Sequence, residues 1–293
     1  MNILVTGANG QLGSEMQRLG AVSPNNYIFT DAAELDVTDA GAIRRAAEQT
    51  RAEAIVNCAA YTDVERAEEN EAAADRLNRL APANLAAAAA ATGATLIHIS
   101  TDYVFDGKAH TPYTEQAPTA PLSVYGRTKL AGEKAIAEAG CDALILRTAW
   151  LYSEFGNNFV KTMLRLTAQT PRVKVVFDQA GTPTYAADLA GAIHRMISSG
   201  AYRGNEGTYH FSNEGVCSWY DFAHEIAVLA GLDPARVIPC HSEEFPSPVE
   251  RPRYSVLDKT KIKETFNLTI PYWRDALERC LERLGAQTAG TAI

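Results

Sequence analysis

Cysteine is scarce and poorly spaced for chemistry. The five thiols, Cys58, Cys141, Cys217, Cys240 and Cys280, are odd in number, and no two form a CxxC pair. That spacing argues against a disulfide framework or a structural zinc site, and suits small buried hydrophobes in a reducing compartment. The six histidines show no metal-ligand spacing either, so no metal site is expected. Positive charge is not in excess: 27 Lys and Arg face 35 Asp and Glu, a formal net charge of −8. A general nucleic-acid binder needs a basic face, which this balance argues against. Long apolar runs are missing as well. The longest, Ala86 to Ala91, is alanine bounded by Pro82 and Gly93, far too short to cross a bilayer. There is no internal repeat, and the sequence opens directly on a strand pattern without a charged leader or apolar signal core. A cytoplasmic protein with no nucleic-acid or membrane partner is the expectation.

What is present is a regular alternation. Short apolar runs at Asn2 to Thr6, Tyr27 to Thr30, Ala54 to Asn57, Thr95 to Ser100 and Asp142 to Arg147 read as buried parallel strands. Between them lie helical stretches from about Gln11, from the Thr38-Asp39 cap to Gln49, from Glu71 to Thr92, and from Ser123 to Ala139. Strands alternating with helices at these lengths indicate an α/β fold, a Rossmann-type doubly wound parallel sheet. Beyond Trp150 the alternation weakens. Helical patterns at Phe159 to Thr167, Trp219 to Ala230 and Tyr272 to Leu284 read as a smaller α+β C-terminal substrate lobe. The expected boundaries are a dinucleotide-binding domain over 1–151, a substrate lobe over 152–285 and a flexible tail over 286–293. A later strand and helix at about 172–200 return to the first domain, with Val173 to Phe177 as the strand added to its sheet.

The first strand runs into Thr6-Gly7-Ala8-Asn9-Gly10-Gln11-Leu12-Gly13, a GxxGxxG spacing between strand and helix. Gly7 permits the tight turn, Gly10 lets backbone approach a pyrophosphate, and Gly13 allows close helix packing. The N–H groups of Gln11 and Leu12 open a helix whose positive end favours an anion. Asp31 follows the second strand, where a carboxylate would hold the adenine ribose hydroxyls and repel a 2′-phosphate. That tilts the expectation toward NADH over NADPH. Asp36 and Val37 fall near the expected adenine. Ala60, Tyr61 and Thr62 leave the third strand beside the cofactor, where a tightly packed strand end is the plainer role.

Tyr125-Gly126-Arg127-Thr128-Lys129 puts a tyrosine and a lysine four residues apart on one helical face. Reducing a ketone requires a hydride and a proton for the developing alkoxide. Tyr125 can give the proton, and a Lys129 ammonium would favour the tyrosinate left behind. Thr101, at the C-terminal end of the fourth strand, would bring a hydroxyl to the same carbonyl oxygen, although an ST-turn after a strand is the ordinary use of such a residue. Trp150, after the fifth strand, would wall a sugar ring or simply lie buried between lobes. Arg251 and Arg253 are the basic residues best suited to a substrate diphosphate, with surface charge on a Pro-containing loop as the alternative.

With VTGANGQLG, STDYVFDG, YGRTKLAGE and LRTAWLY in this order, the sequence resembles the dTDP-4-dehydrorhamnose reductase family of extended short-chain dehydrogenases. The resemblance covers nearly the whole chain and includes the later stretches Asp178 to Thr184 and Arg251 to Asp258. It implies reduction of the 4-keto group of dTDP-4-dehydro-β-L-rhamnose with NADH or NADPH, in nucleotide-sugar biosynthesis for surface polysaccharides. It implies Tyr125 as proton donor, tuned by Thr101, with Lys129 on the nicotinamide ribose. Thr101, Asp102 and Trp150 match substrate-contacting positions. Gly10, Gln11, Leu12, Asp31, Asp36, Val37, Ala60, Tyr61 and Thr62 match cofactor-contacting ones. Some members hold magnesium at a dimer interface through a carboxylate cluster. No such cluster is placed in this sequence, which leaves magnesium, and a monomer against a homodimer, open. Two other readings stand beside this one: a different nucleotide-sugar 4-ketoreductase or epimerase, and a noncatalytic nucleotide-binding regulatory subunit.

Overall fold

The computed structural model describes residues 1–245 and 247–290, with the side chains of 286–290 left undescribed. The N-terminal part contains β1 (Asn2–Thr6), α1 (Gln11–Gly20), β2 (Asn26–Thr30), α2 (Ala40–Thr50), β3 (Ala54–Asn57) and α3 (Val64–Glu69). It continues through α4 (Glu71–Asp75), α5 (Ala81–Thr92), β4 (Thr95–Thr101), α6 (Val124–Glu138) and β5 (Ala143–Thr148). Short polar residues start these helices as the caps require: Asp39 accepts from Ala42 N–H, Asp63 from Arg66, Asn70 from Ala73 and Ser123 from Gly126.

Then come β6 (Leu151–Tyr152), α7 (Phe159–Gln169), β7 (Val173–Val176), β8 (Ala180–Gly181), β9 (Thr184–Tyr185) and α8 (Ala186–Ser198). The chain ends with β10 (Gly207–His210), β11 (Cys217–Ser218), α9 (Trp219–Leu229), β12 (Val237–Cys240), α10 (Thr260–Phe266) and α11 (Trp273–Gly290).

The main sheet is parallel throughout, in the order β2-β1-β3-β4-β5-β10. Helices cover both faces. Leu12 and Met16 of α1 pack with Leu189 and Ile193 of α8 on one side; Ile43, Leu85 and Ile136 from α2, α5 and α6 pack on the other. A separate core in the second lobe gathers Tyr152, Val160, Phe222, Trp273 and Leu277. Strand order reverses beside β1, so a crevice opens at the C-terminal ends of the strands, where open α/β sheets place their sites. Among the described residues no helix is long and apolar enough to cross a membrane.

Three expectations need correction. Val173 to Phe177 does not join the main sheet: β7 pairs with β12, Val173 opposite Val237. The sixth strand is β10, with Tyr209 opposite Leu146. In β7 buried Val173 and Val175 alternate with exposed Lys174, the mark of a half-solvated strand, whereas β10 reads GTYH and has no apolar run to announce it. The helix over 71–92 is not continuous. Arg76 to Leu80 forms a π-turn in which Ala81 N–H bonds the Arg76 carbonyl, five residues back. Pro82 has no N–H for the carbonyl of Asn78, which removes an α-type bond at that point. Finally, α11 runs on to Gly290, across the expected boundary at 285; 291–293 lie outside the described residues.

Candidate active site

The walls of the crevice come from strand ends and from helices packed beside them. After β1 the backbone turns at Gly7 with φ +68°, and a Cβ there would lie 2.6 Å from Ala59 N, so only glycine lets this turn meet the end of β3. Gly10 caps α1 without a side-chain bond to the helix. The first-turn N–H groups are thus left to face an anion. Asp31, just beyond β2, is tied over this turn: its Oδ2 accepts from Asn9 N–H at 2.8 Å and its Oδ1 from Ala32 N–H at 2.7 Å.

From β4, Thr101 Oγ1 donates to Asp102 Oδ1 at 3.1 Å and accepts from Tyr103 N–H at 3.2 Å. The ordinary ST-turn role is therefore real, and the same hydroxyl also draws the Tyr125 pKa down. Burial acts the other way and is stronger, so Tyr125 sits above the ordinary 10. Asp102 is buried, its Oδ2 has no protein partner, and burial pushes its carboxyl up to about 6.

Helix α6 presents Tyr125 and Lys129 from its first two turns. It can lie this close because residue 126 is glycine; a Cβ there would collide with the Tyr103 carbonyl. The Tyr125 ring meets Tyr103 edge-on at 5.4 Å. Lys129 is 2% exposed, and burial brings its ammonium down to about 8. From the end of β5, Trp150 stacks on Trp219 of α9 with ring centroids 3.6 Å apart and planes at 12°.

These groups line one cavity of about 520 Å³. It takes Gly10, Gln11 and Leu12 from the glycine turn, Ala60 and Thr62 from the β3 end, and Thr101 and Asp102 from β4. Tyr125 and Lys129 face them, with Trp150 and Arg251 at the far side. A second cavity of about 910 Å³ adjoins it, sharing Trp219 and Arg251, and includes Arg253 and Lys174. Gly7, Gly13, Asp31, Asp36, Val37 and Tyr61 fall outside the lining of the first cavity. Exposed Asp36 caps its own loop through Thr38 N–H and Oγ1, which hold its pKa low. Arg251 is not a free cation: it bonds the Tyr103 hydroxyl at 3.1 Å and Glu65 at 3.0 Å.

A family model described as the RmlD substrate binding domain matches residues 1–286. A dTDP-4-dehydrorhamnose reductase of Mycolicibacterium smegmatis is 40% identical over 98% of this chain and 88% of its own. A probable dTDP-4,6-dihydroxy-2-methyloxan-3-one 4-ketoreductase of Streptomyces antibioticus is 44% identical, over 94% of this chain and 93% of its own. This chain belongs to the RmlD family of dTDP-4-dehydrorhamnose reductases. Among solved structures, the RmlD-family enzyme of Bacillus anthracis, in complex with NADP, superimposes with a TM-score of 0.90 at 38% identity. That match covers 96% of this chain and 99% of the other.

An RmlD-family fold implies a nicotinamide dinucleotide, and the residues fit one. The uncapped N-terminus of α1 suits the pyrophosphate, the Asp31 carboxylate suits ribose hydroxyls, and Lys129 suits the second ribose. Magnesium is different. Among the described residues no group of three or more His, Cys, Asp or Glu side chains could hold an ion. The buried carboxylates Glu15 and Glu154 already share Arg18 and Arg283.

Sequence reading missed Trp219 and Asn78. Trp219 opens an apolar helix and reads as core. Asn78 sits in the π-turn, fully buried; its Oδ1 accepts from Tyr61 N–H at 2.9 Å, and its Nδ2 donates to the Tyr61 carbonyl and to Thr128 Oγ1. It joins the β3 end to α6. Its one sequence signal was a polar residue inside an apolar helical pattern.

Proposed function

We propose that the chain reduces the 4-keto group of dTDP-4-dehydro-β-L-rhamnose to give dTDP-β-L-rhamnose, using NADH or NADPH. The observation that carries this reading is that Tyr125, Lys129 and Thr101 line one cavity together with the glycine turn of α1. A bound nicotinamide supplies the hydride. Tyr125 holds its proton firmly until the sugar oxygen becomes an alkoxide, because burial keeps its pKa high. The Lys129 ammonium and the Thr101 hydroxyl then favour the tyrosinate. Asp102 Oδ2, buried and unpartnered, suits a sugar hydroxyl. The stacked Trp150 and Trp219 offer an apolar face to the sugar; Arg253 suits the diphosphate, and Arg251 would join it only by giving up its bonds to Tyr103 or Glu65. The two adjoining cavities together suit a sugar at the reacting end and a nucleoside diphosphate beyond it. Asp31 disfavours a 2′-phosphate, so NADH is the expected reductant, in contrast to the NADP held by the Bacillus anthracis relative. The free cysteines suit a reducing compartment such as the cytoplasm.

A second reading, reduction of another dTDP-linked 4-ketosugar, is favoured by the 44% identity to the Streptomyces antibioticus 4-ketoreductase. Following NADH and NADPH absorbance against a panel of dTDP-4-ketosugars separates the two. Turnover strongest with the rhamnose precursor supports the first reading. Preference for another member supports the second, and no turnover with any member refutes both.

A further inference from the structure

Behind the Tyr125 and Lys129 face runs a buried chain of polar groups. Thr6 Oγ1 donates to Asn57 Oδ1 at 2.9 Å, and Ala59 N–H donates to the same oxygen at 3.0 Å. Asn57 Nδ2 lies 3.0 Å from His98 Nδ1. His98 Nε2 lies 3.5 Å from Lys129 Nζ, which also donates to the Ile99 carbonyl at 2.6 Å. Asn57, His98 and Lys129 are all buried.

Counting donors fixes the proton on the ring. A backbone N–H can only donate, so Ala59 sets which end of the Asn57 amide is oxygen. The amide nitrogen therefore faces His98 and donates to Nδ1. Burial, with the nearby Lys129 charge, holds His98 well below the ordinary imidazole range, so the ring is neutral and carries one proton. With Nδ1 accepting, that proton is on Nε2, directed at Lys129.

We propose that His98 is a positioning residue which presents its Nε2–H to the Lys129 nitrogen and so favours the neutral amine over the ammonium. An amine has a lone pair to receive that N–H; an ammonium has only donors. Burial works in the same direction. The other charges around Lys129 are few. Glu133, one turn along α6, favours the ammonium, but its carboxylate is shared with Arg147 of β5 and the Ser100 hydroxyl of β4. Tyr125 shares the helix face, β4 adds Thr101 and, at its end, the ionisable Asp102, and β3 adds the neutral Asn57, with the Cys58 thiol, which burial keeps protonated, just beyond it. The outcome is a lysine whose charge is adjustable within the working pH range rather than permanent.

The kinetic consequence rests on the reading of Tyr125 as proton donor; the structural one does not. If the Lys129 ammonium supports the tyrosinate, reduction should lose rate as Lys129 deprotonates, giving an alkaline limb to the pH profile. Asn57→Asp should move that limb. A carboxylate accepts from Ala59 and from His98 alike, so the ring proton shifts to Nδ1 and Nε2 offers a lone pair to the ammonium. The Lys129 midpoint, and the limb with it, should rise by about one pH unit or more.

Two NMR readouts test this on the full chain without relying on activity. In ¹⁵N-histidine-labelled wild-type protein, with the His98 signal identified by its loss in His98→Gln, Nε2 should carry the proton and Nδ1 should not. Titration of the Lys129 side-chain methylene signal, identified by its loss in Lys129→Met, should shift upward in Asn57→Asp. An Nδ1–H tautomer in the wild type overturns the proposal, and it decides the matter alone if Asn57→Asp does not fold. So does an unchanged Lys129 midpoint in folded Asn57→Asp. Both NMR results as expected, in a chain that reduces no sugar, would uphold the His98 assignment while refuting the functional reading.

Discussion

The Trp150 indole lies flat on Trp219, and it does so from a backbone with φ +51°, a left-handed conformation unusual for a bulky residue. The stack, close packing against Gly181 and the Thr184 N–H that donates to the Trp150 carbonyl at 3.2 Å all hold it there. Trp219, which lines both cavities, thus fixes the direction of the Trp150 wall in the first. Trp219→Ala should free that wall. Losing an aromatic pair worth about 0.5–1.5 kcal/mol should lower kcat/KM for the sugar nucleotide by roughly two- to tenfold. Fluorescence titration should show NADH affinity unchanged. A loss confined to NADH binding would contradict this role.

Tyr125→Phe removes one hydroxyl and keeps the ring against Tyr103. Turnover should fall by about 10²–10⁴-fold, the usual worth of a general acid. Cofactor binding should persist, since its contacts are expected on Gly10 to Leu12, Asp31 and Lys129. Single-turnover NADH oxidation checks this, and near-normal hydride transfer would remove Tyr125 from the mechanism.

Asp31 both anchors Asn9 N–H and carries the charge expected to repel a 2′-phosphate. Asp31→Asn keeps an acceptor for the turn and deletes the charge. One exposed charge at about 4 Å is worth about 1 kcal/mol in water, so the NADPH-to-NADH ratio of kcat/KM should rise about fivefold. An unmoved ratio would show that Asp31 does not read the ribose.

Glu15 gives a stability prediction. Burial first, then the adjacent Glu154 carboxylate, raise its pKa from 4.5 to about 7. An acid with a raised folded-state pKa contributes stability that is fully present below its unfolded pKa, near 4.5. That contribution is lost as pH rises through about 7. Glu15→Gln cannot ionise and escapes the loss. Its melting temperature relative to wild type should therefore climb between pH 5 and pH 8, by about 2–4 °C for each kcal/mol of ionisation cost removed. A difference that stays constant with pH would mean Glu15 does not titrate in this range.

The five strands β1 to β5 were legible in sequence because parallel strands buried on both faces are short apolar runs with helices between them. The lining of the candidate site was legible for a related reason: Gly10, Thr101, Tyr125 and Trp150 each lie at or just beyond a strand end or open a helix, so local order places them. What escaped depends on partners far along the chain. β10 gains its place from pairing with β5, not from its own GTYH. Asn78 gains its meaning from a proline four residues on and from the Tyr61 backbone. Trp219 looks like any apolar helix residue until it is seen against Trp150. His98 read simply as one member of an apolar strand, because the donor that fixes its tautomer, Ala59 N–H, lies on another strand's end.

The interleaving of the two lobes bears on how the chain can be divided. A fragment ending at Leu151 would keep every motif of the nucleotide half yet leave β5 as a bare edge, since β10 arrives only at Gly207. It would also strip Leu189, Ile193, Met196 and Ile197 of α8 from the face they share with Leu12 and Met16. Such a fragment would present an unpaired strand and an uncovered apolar surface together, the conditions for aggregation. Grafting this nucleotide-binding half onto another substrate lobe therefore requires carrying two distant segments, α8 and β10, along with it.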